Sequence, residues 1–397
     1  MNQRGVEFSL DLDDPGFLDD PYPTLARLRQ TAPVGWHEPT QQWMAVSYAE
    51  ANGLLRDRRL GRLWKDREPR ETYEPFNLLH RNQMMENEPP AHTRLRSLVA
   101  KAFARGHVER LRPRVQAIAD GLLDAVDLSS FDLIADYAEP LPVAIISELL
   151  GVPEEDRHLL RPWSASIVAM YEYNRGDDVV GHAVDASAAF TAYMRDLADA
   201  RRREPRDDLV SHLVAEEDAG ERLTADELVS SAILLLNAGH EASVNAFGNG
   251  MVALLDSPEQ FDIVRGGDDE VVAGAIEEMI RYDAPLQLFE RTAKEDVVLG
   301  DVEIPAGGKV AALLGAANRD PAMFAEPDRL DVSRRPNPHI GFGAGLHHCL
   351  GAPLARMELQ ITLPTLLDRC PKLRLAGAPE RRRTFVLRGY RSVPVSA

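Results

Sequence analysis

The chemistry of this chain concentrates at Cys349, one of two cysteines in 397 residues. It sits in Phe342-Gly343-Ala344-Gly345-Leu346-His347-His348-Cys349-Leu350-Gly351, with a further glycine at 341 and a helix-forming run from Ala352 to Leu366 behind it. Glycines let a backbone take positive φ or approach a flat, bulky group closely. A helix start offers unpaired N–H groups and a positive dipole end, which favour a thiolate over a thiol. Such a thiolate suits a nucleophile or a metal ligand. A dinucleotide fingerprint, G-x-G-x-x-G at a strand-to-helix turn, fails because the third glycine position counted from Gly343 holds His348. Structural zinc sites use spaced ligand pairs, whereas His347, His348 and Cys349 are contiguous. A solitary cysteine is usually a small core hydrophobe. That description suits Cys370, near the end of an apolar helical pattern, better than Cys349 among its glycines.

Three further groups stand out. Ala238-Gly239-His240-Glu241-Ala242-Ser243 lies inside an otherwise apolar helical run. Small residues there suit close helix packing, but a carboxylate in apolar surroundings is costly unless it has a task. Glu278 and Arg281 stand at i and i+3, so they share a helix face and can pair. Alone, such a pair is most often a surface contact worth little. His92 and Arg96, one turn apart after Pro89-Pro90, form a small basic face.

The elements that must position these groups are mostly helical. Thr224-Ala225-Asp226-Glu227 is a capping box, Thr at N-cap and Glu at N3, opening a helix through about Leu255. Leu228 and Ile233 to Leu236 make its first half apolar on nearly every side, as a buried central helix requires. Helical patterns also cover 24–30, 48–55, 92–103, 108–126, 140–150, 154–173, 180–203, 207–216 and 270–282. Strands are predicted at 34–37 and 42–46 around a turn at 38–40, at 297–299 and 309–314, and as a last hairpin from 383–387 and 391–395. Residues 60–90 and 318–345 read as irregular. With no Ser/Gly linker and no repeat, the chain is expected to form one domain over 1–397, mainly α with a minor β region.

Composition is that of a globular protein: 44% hydrophobic and 27% charged, with a net charge of −18. The acidic balance argues against nucleic acid as a partner. Two cysteines give no disulfide framework and fit a reducing cytoplasm. The polar start, Met1 to Asp14, has no apolar core of a leader, and no long apolar span follows, so no membrane association is expected. Within 92–114, however, Arg94, Arg96, Lys101, Arg105, Arg110, Arg112 and Arg114 face only Glu109. Such a patch suits either a solvated helix face or docking of an acidic partner.

The loop resembles the haem-binding signature of the bacterial cytochrome P-450 family, Phe-x-x-Gly-x-(His or Arg)-x-Cys-x-Gly, with every fixed position filled. The resemblance runs from about Pro23 to Val395 in the same order of elements. It implies the cytochrome P-450 fold, a long central helix over haem b (iron protoporphyrin IX) and a loop carrying the cysteine ligand. Cys349 is then the iron ligand, with Phe342 shielding its sulfur and backbone N–H groups near Gly351 tuning it. His92, Arg96, Arg291 and His347 match the family's partners of the haem propionates. His339 matches a frequent histidine. Glu278 and Arg281, with Arg329 as third member, match a buried network that locks the cysteine loop. Ala238 and Gly239 match the small residues that make room for O2, and Glu241 the acid that relays protons. The family's usual threonine is Ala242 here, with Ser243 next to it, about 100° round the helix. Substrate contacts are implied at 64–85, 163–180, Leu234 to Ala238, Leu286 to Phe289 and Val386 to Leu387.

The resemblance implies a monooxygenase that takes two electrons, singly, from a ferredoxin served by an NAD(P)H-dependent ferredoxin reductase. It would use O2 to hydroxylate or epoxidise a medium-to-large, largely apolar small molecule. Five lysines against forty arginines suit a GC-rich bacterial source, and with it natural-product biosynthesis. The Ala242 departure keeps a second reading in view, oxidative cyclisation or coupling without oxygen insertion. A third, a non-catalytic haem-binding partner or sensor, has no need of both Cys349 and Glu241.

Overall fold

The computed structural model describes residues 5–173, 175, 176, 178–218 and 223–397. The chain falls into two compact units, one of Met1–Gly61, Arg112–Glu139 and Ala242–Ala397, the other of Arg62–Leu111 and Pro140–Glu241.

The first unit holds a five-stranded sheet in the order Val34–His37, Gln42–Ala45, Lys309–Leu313, Leu288–Ala293, Leu60–Gly61. The first pair is the predicted hairpin, registered Trp36 on Trp43 with the rings edge-on at 4.7 Å. Lys309–Leu313 runs parallel to Gln42–Ala45 and antiparallel to Leu288–Ala293, where Arg291 opposes Val310. Val34, Trp43, Leu54, Leu60, Ile304, Val310 and Ile340 are buried together around this sheet. The C-terminal hairpin differs from expectation: Glu380–Arg381 pairs with Tyr390–Ser392, and Pro394–Ser396 joins Phe131–Asp132 and Arg374–Leu375. Residues 385–388 use their backbone elsewhere. Gln287 N–H donates to Val386 O at 2.9 Å, Arg388 N–H to Pro285 O at 2.9 Å, and Leu286 bridges Leu387.

The second unit is helical. Val179–Arg203 packs against Arg157–Val168, Arg70–Arg81 and Leu209–Asp218. Its buried residues Ala183, Ala186, Phe190, Met194 and Leu197 recur at helical spacing, with Trp163 against Phe190 at 5.3 Å. The pattern expected at 154–173 resolves into two 3-10 turns flanking Arg157–Val168. Residues 60–90 are not irregular throughout. Arg70–Arg81 is a helix despite Pro75, because a buried face of Phe76, Asn77, Leu79 and His80 outweighs one missing backbone donor. Asn77 also clasps the strap before it, accepting from Arg67 N at 2.9 Å and donating to Arg67 O at 3.1 Å.

The central helix, Ala225–Leu255, begins at the capping box: Glu227 N–H donates to Thr224 Oγ1 at 3.2 Å, and Thr224 N–H to Glu227 Oε2 at 3.0 Å. Glu227 also takes both terminal nitrogens of Arg94, at 3.0 and 2.5 Å, so one member of the basic window is neutralised. Lys101, Arg105 and Arg110 are exposed. Among the described residues no helix is long and apolar enough to cross a membrane.

Candidate haem-thiolate site

The cysteine loop belongs to the first unit. Cys349 N–H donates to Phe342 O at 2.9 Å and Gly343 N–H to Ile340 O at 2.8 Å, so the segment 342–349 is closed at its base. Gly343 and Gly345 have φ of +70° and +69°, the left-handed region that glycine tolerates. A Cβ on Gly345 would lie 2.3 Å from Leu55 O, so the loop rests on the end of the helix Tyr48–Arg56. Gly351 is the N-cap of Ala352–Arg369, which places Cys349 two residues ahead of the N-cap. Cys349 and its neighbour Leu346 are exposed, whereas Cys370 is fully buried in the core.

Behind the loop lies Glu278, with no exposure. Arg281, equally buried, grips it through Nε and a terminal nitrogen at 2.7 and 2.8 Å. The third member is Arg334, whose Nε reaches both carboxylate oxygens at 3.2 and 3.1 Å. This corrects the assignment to Arg329. The Arg329 side chain is 58% exposed beside Glu326, and the residue contributes only its carbonyl, which accepts from Arg281 at 3.1 Å. A pattern of residue types shows which arginines are near in sequence, not which one turns inward.

A neighbouring cluster escaped the sequence reading. Glu277 accepts from Arg356 Nε and a terminal nitrogen at 2.6 and 2.8 Å and meets His339 Nε2 at 3.0 Å. Burial works to raise the Glu277 carboxyl, but the hydrogen bonds from Arg356 and His339 outweigh it and hold the group at about 2. The signal available was the doubled acid before Arg281 and an arginine seven residues after the cysteine.

The remaining predicted residues of this unit are Arg291, His347, Ala242 and Ser243. Arg291 is buried on the strand Leu288–Ala293, with its guanidinium 4.8 Å from the Phe289 ring. His347 is half-buried in the cysteine loop. The bridge Leu286–Leu387 brings two of the predicted substrate segments together. From behind, Asp283 accepts from Arg388 Nε at 2.8 Å, Arg381 at 3.0 Å and Tyr22 Oη at 2.7 Å.

In the second unit His92 is buried and Arg96 half-buried, one turn apart on Ala91–Ala100. Ala238, Gly239 and Glu241 lie on the central helix. Between Leu228 and Gly250 that helix is buried everywhere except Ala238, Gly239, Ala242 and Ser243. Those four stand at i, i+1, i+4 and i+5, so the small residues form one open stripe. The Cβ direction of Gly239 meets Ile146 at 3.2 Å, so its smallness also serves the approach of Pro140–Leu150. Glu241 is buried, with Oε1 3.6 Å from His240 Nε2.

The predicted segments 64–85 and 163–180 also meet, apart from residues 174 and 177, which lie outside the described residues. His80 stacks on Trp64 at 4.6 Å and on Phe76 at 4.0 Å, and those two rings are 6.1 Å apart. Its Nδ1 donates to Phe76 O at 2.8 Å, so Nε2 accepts from Tyr171 Oη at 3.1 Å. Burial first of all pushes His80 down to about 3, so it is neutral there.

These residues fit a b-type haem. An exposed sulfur on a glycine-built loop is an apt single protein ligand, and among the described residues no cluster of three or more His, Cys, Asp or Glu could hold a bare metal ion. Within the first unit buried Arg291 and half-buried His347, and within the second buried His92 and half-buried Arg96, are side chains of the type that pairs with carboxylates.

Comparisons with known proteins identify the family. The family model "Cytochrome P450" matches residues 182–375. The chain is 41% identical to cytochrome P450 monooxygenase PikC of Streptomyces venezuelae, over 99% of this chain and 96% of that one. It is 40% identical to mycinamicin IV hydroxylase/epoxidase of Micromonospora griseorubida, over 93% of each. Among solved structures, P450BioI in complex with an acyl carrier protein carrying hexadec-9Z-enoic acid superposes with a TM-score of 0.91 at 35% identity, covering 97% of this chain and all of that one. Fold, thiolate loop and near-complete alignment together place the chain in the cytochrome P450 family, as a monooxygenase whose cofactor is haem b.

Proposed function

We propose that this cytochrome P450 hydroxylates or epoxidises a medium-to-large, largely apolar natural-product intermediate in the cytoplasm. Electrons come singly from a ferredoxin and its NAD(P)H-dependent reductase. The observation that carries the reading is the exposed Cys349 on a loop closed by its own N–H to Phe342 O. When bound, haem b supplies the iron at which O2 is activated, and a thiolate ligand favours O–O cleavage. Cys349 holds the group through Sγ, with Phe342 limiting water at the sulfur. His92, Arg96, Arg291 and His347 take its two carboxylates by charge-assisted hydrogen bonds. Ala238 and Gly239 keep the central helix free of bulk, and Glu241 is the buried acid placed to relay protons. Ala242 carries no hydroxyl, so Ser243, ordered water or a substrate hydroxyl completes proton delivery. Leu286, Phe289 and Leu387 offer an apolar wall that orients substrate. The hydroxylase/epoxidase among its relatives supports this reaction class.

The test is the optical spectrum of the reduced protein with carbon monoxide, beside Cys349→Ser, followed by product mass. A strongly red-shifted Soret band lost in the variant, and a product heavier by one oxygen, are expected. A band like that of histidine-ligated haem, or no haem at all, overturns the reading. Ala242 favours one alternative on the same scaffold, oxidative ring closure or coupling, which a product lighter by two hydrogens would establish. For the partner, charge reversal at exposed Arg105 and Arg110 is expected to slow electron transfer from ferredoxin at low salt. An unchanged rate sinks that docking surface.

A further inference from the structure

Two adjacent acids on one helix, Asp269–Tyr282, do different work. Glu278 is sealed and gathers backbone as well as cations. Glu277 is 27% exposed and joins two elements that lead into and out of the cysteine loop. One is His339. Gly341 N–H donates to its Nδ1 at 3.1 Å, so Nε2 carries the hydrogen and donates to Glu277 at 3.0 Å. The other is Arg356, on the helix that follows Cys349, held by Glu277 through two parallel hydrogen bonds. So held, the guanidinium lies over the Phe342 ring, with Cζ 4.4 Å from its centroid. Phe342 is the residue whose carbonyl takes the Cys349 N–H. The Arg356 guanidinium is raised above its ordinary value by the hydrogen bonds to Glu277 and, further, by the charge on Cys349. The ring it covers belongs to the residue that accepts the Cys349 N–H, which puts the cation beside the loop that carries the sulfur.

We propose that Glu277 and Arg356 are a tuning pair for the thiolate: Glu277 aims the Arg356 guanidinium across Phe342 at the cysteine loop, and the balance of the two charges sets how strongly the sulfur donates to the iron. The inference rests on Cys349 being the haem ligand. Both are positioning residues that act through the sulfur. A positive charge beside a thiolate withdraws its electron density and favours the reduced iron; a negative charge beside that cation offsets it. The two side chains therefore act on one quantity in opposite senses, which a purely structural clamp does not do.

The experiment is the ferric/ferrous midpoint of the holoprotein by spectroelectrochemistry, with the reduced carbon monoxide spectrum as a check on ligation. Arg356→Met is expected to disfavour the reduced form about fivefold at fixed potential, ~40 mV lower at 59 mV per decade for one electron. Glu277→Gln, which leaves the guanidinium uncancelled, is expected to move the midpoint upward. Arg356→Lys, which keeps the charge, is expected to stay within about twofold of the parent. If Arg356→Met loses haem, Arg356→Gln carries the same test. Shifts of the two charge-removing variants in the same direction, or no shift beyond about twofold with the red-shifted band intact, overturn the proposal. A parent protein without that band overturns the ligand assignment instead, so the two failures are distinguishable.

Discussion

The cysteine-loop region of the first unit and the Trp64–Tyr171 region of the second are held by different forces. The first is fixed by charge. Glu278 accepts from Arg281, Arg334, Asp331 N–H and Asn337, at 2.7 to 3.2 Å, with no solvent access to the carboxylate. The second has at its centre stacked rings around a neutral histidine, with a hydroxyl hydrogen bond from Tyr171, beside a half-buried pair of Arg81 and Asp66 to which Trp64 Nε1 also donates. A charge cluster in low dielectric is satisfied in one geometry only. A ring stack tolerates small rearrangement for little cost. The contrast suits the proposed tasks: a ligand loop needs one geometry, whereas a substrate wall has to fit around what it binds.

That contrast can be broken most severely at Glu278. Glu278→Ala leaves two buried guanidinium groups uncompensated and is expected to cost about 3–5 kcal/mol and to abolish haem incorporation. Urea unfolding and the haem-to-protein absorbance ratio read it. A subtler probe in the same unit is Glu358, which burial pushes up to about 8. Its folded pKa lies above the unfolded value, so its contribution is full below about pH 4.5 and is lost as pH rises through 8. Relative to Glu358→Gln, the parent is expected to lose about 1.4 kcal/mol per pH unit between pH 5 and 7. Parallel pH profiles for the two proteins would remove Glu358 from the charge-fixed region. In the ring-fixed region, Tyr171→Phe removes one hydrogen bond and is expected to cost about 1 kcal/mol while changing substrate affinity more than stability. Equal loss at both readouts would make it an ordinary core contact. Arg202, bound to Asp199, Glu217 and Asp218 on the surface, sets the floor. Arg202→Ala is expected to stay within about 0.5 kcal/mol by thermal unfolding.

What could be read from the chain follows the range of the forces involved. The Thr224–Glu227 capping box, the 34–45 hairpin and the glycine-built cysteine loop are local patterns, and their residues sit where the pattern puts them. The helix Arg70–Arg81 was hidden by Pro69, Pro75 and its many charges, because its buried face is supplied by Val179–Arg203, more than a hundred residues away. Arg334 was missed in favour of Arg329 because the choice depends on how an irregular backbone turns around Glu278. Glu277 and Arg356 are 79 positions apart, a separation no local pattern spans. The open stripe Ala238, Gly239, Ala242 and Ser243 was visible as small residues, but only its exposure distinguishes it from helix packing.

The backbone around Glu278 has one more consequence. Residues 318–340 form no helix or strand, yet Arg281 takes the carbonyls of Asn318, Pro327 and Arg329, and Arg334 those of Ala325, Glu326 and Arg329. Two side chains thus do for this segment what a ladder does for a sheet. Surface connections ordinarily absorb inserted residues at small entropic cost. Here one extra residue between Asn318 and Arg334 would pull several carbonyls off fixed donors at once. The segment is irregular in shape but inelastic in length, so variation in chain length should accumulate elsewhere in the molecule.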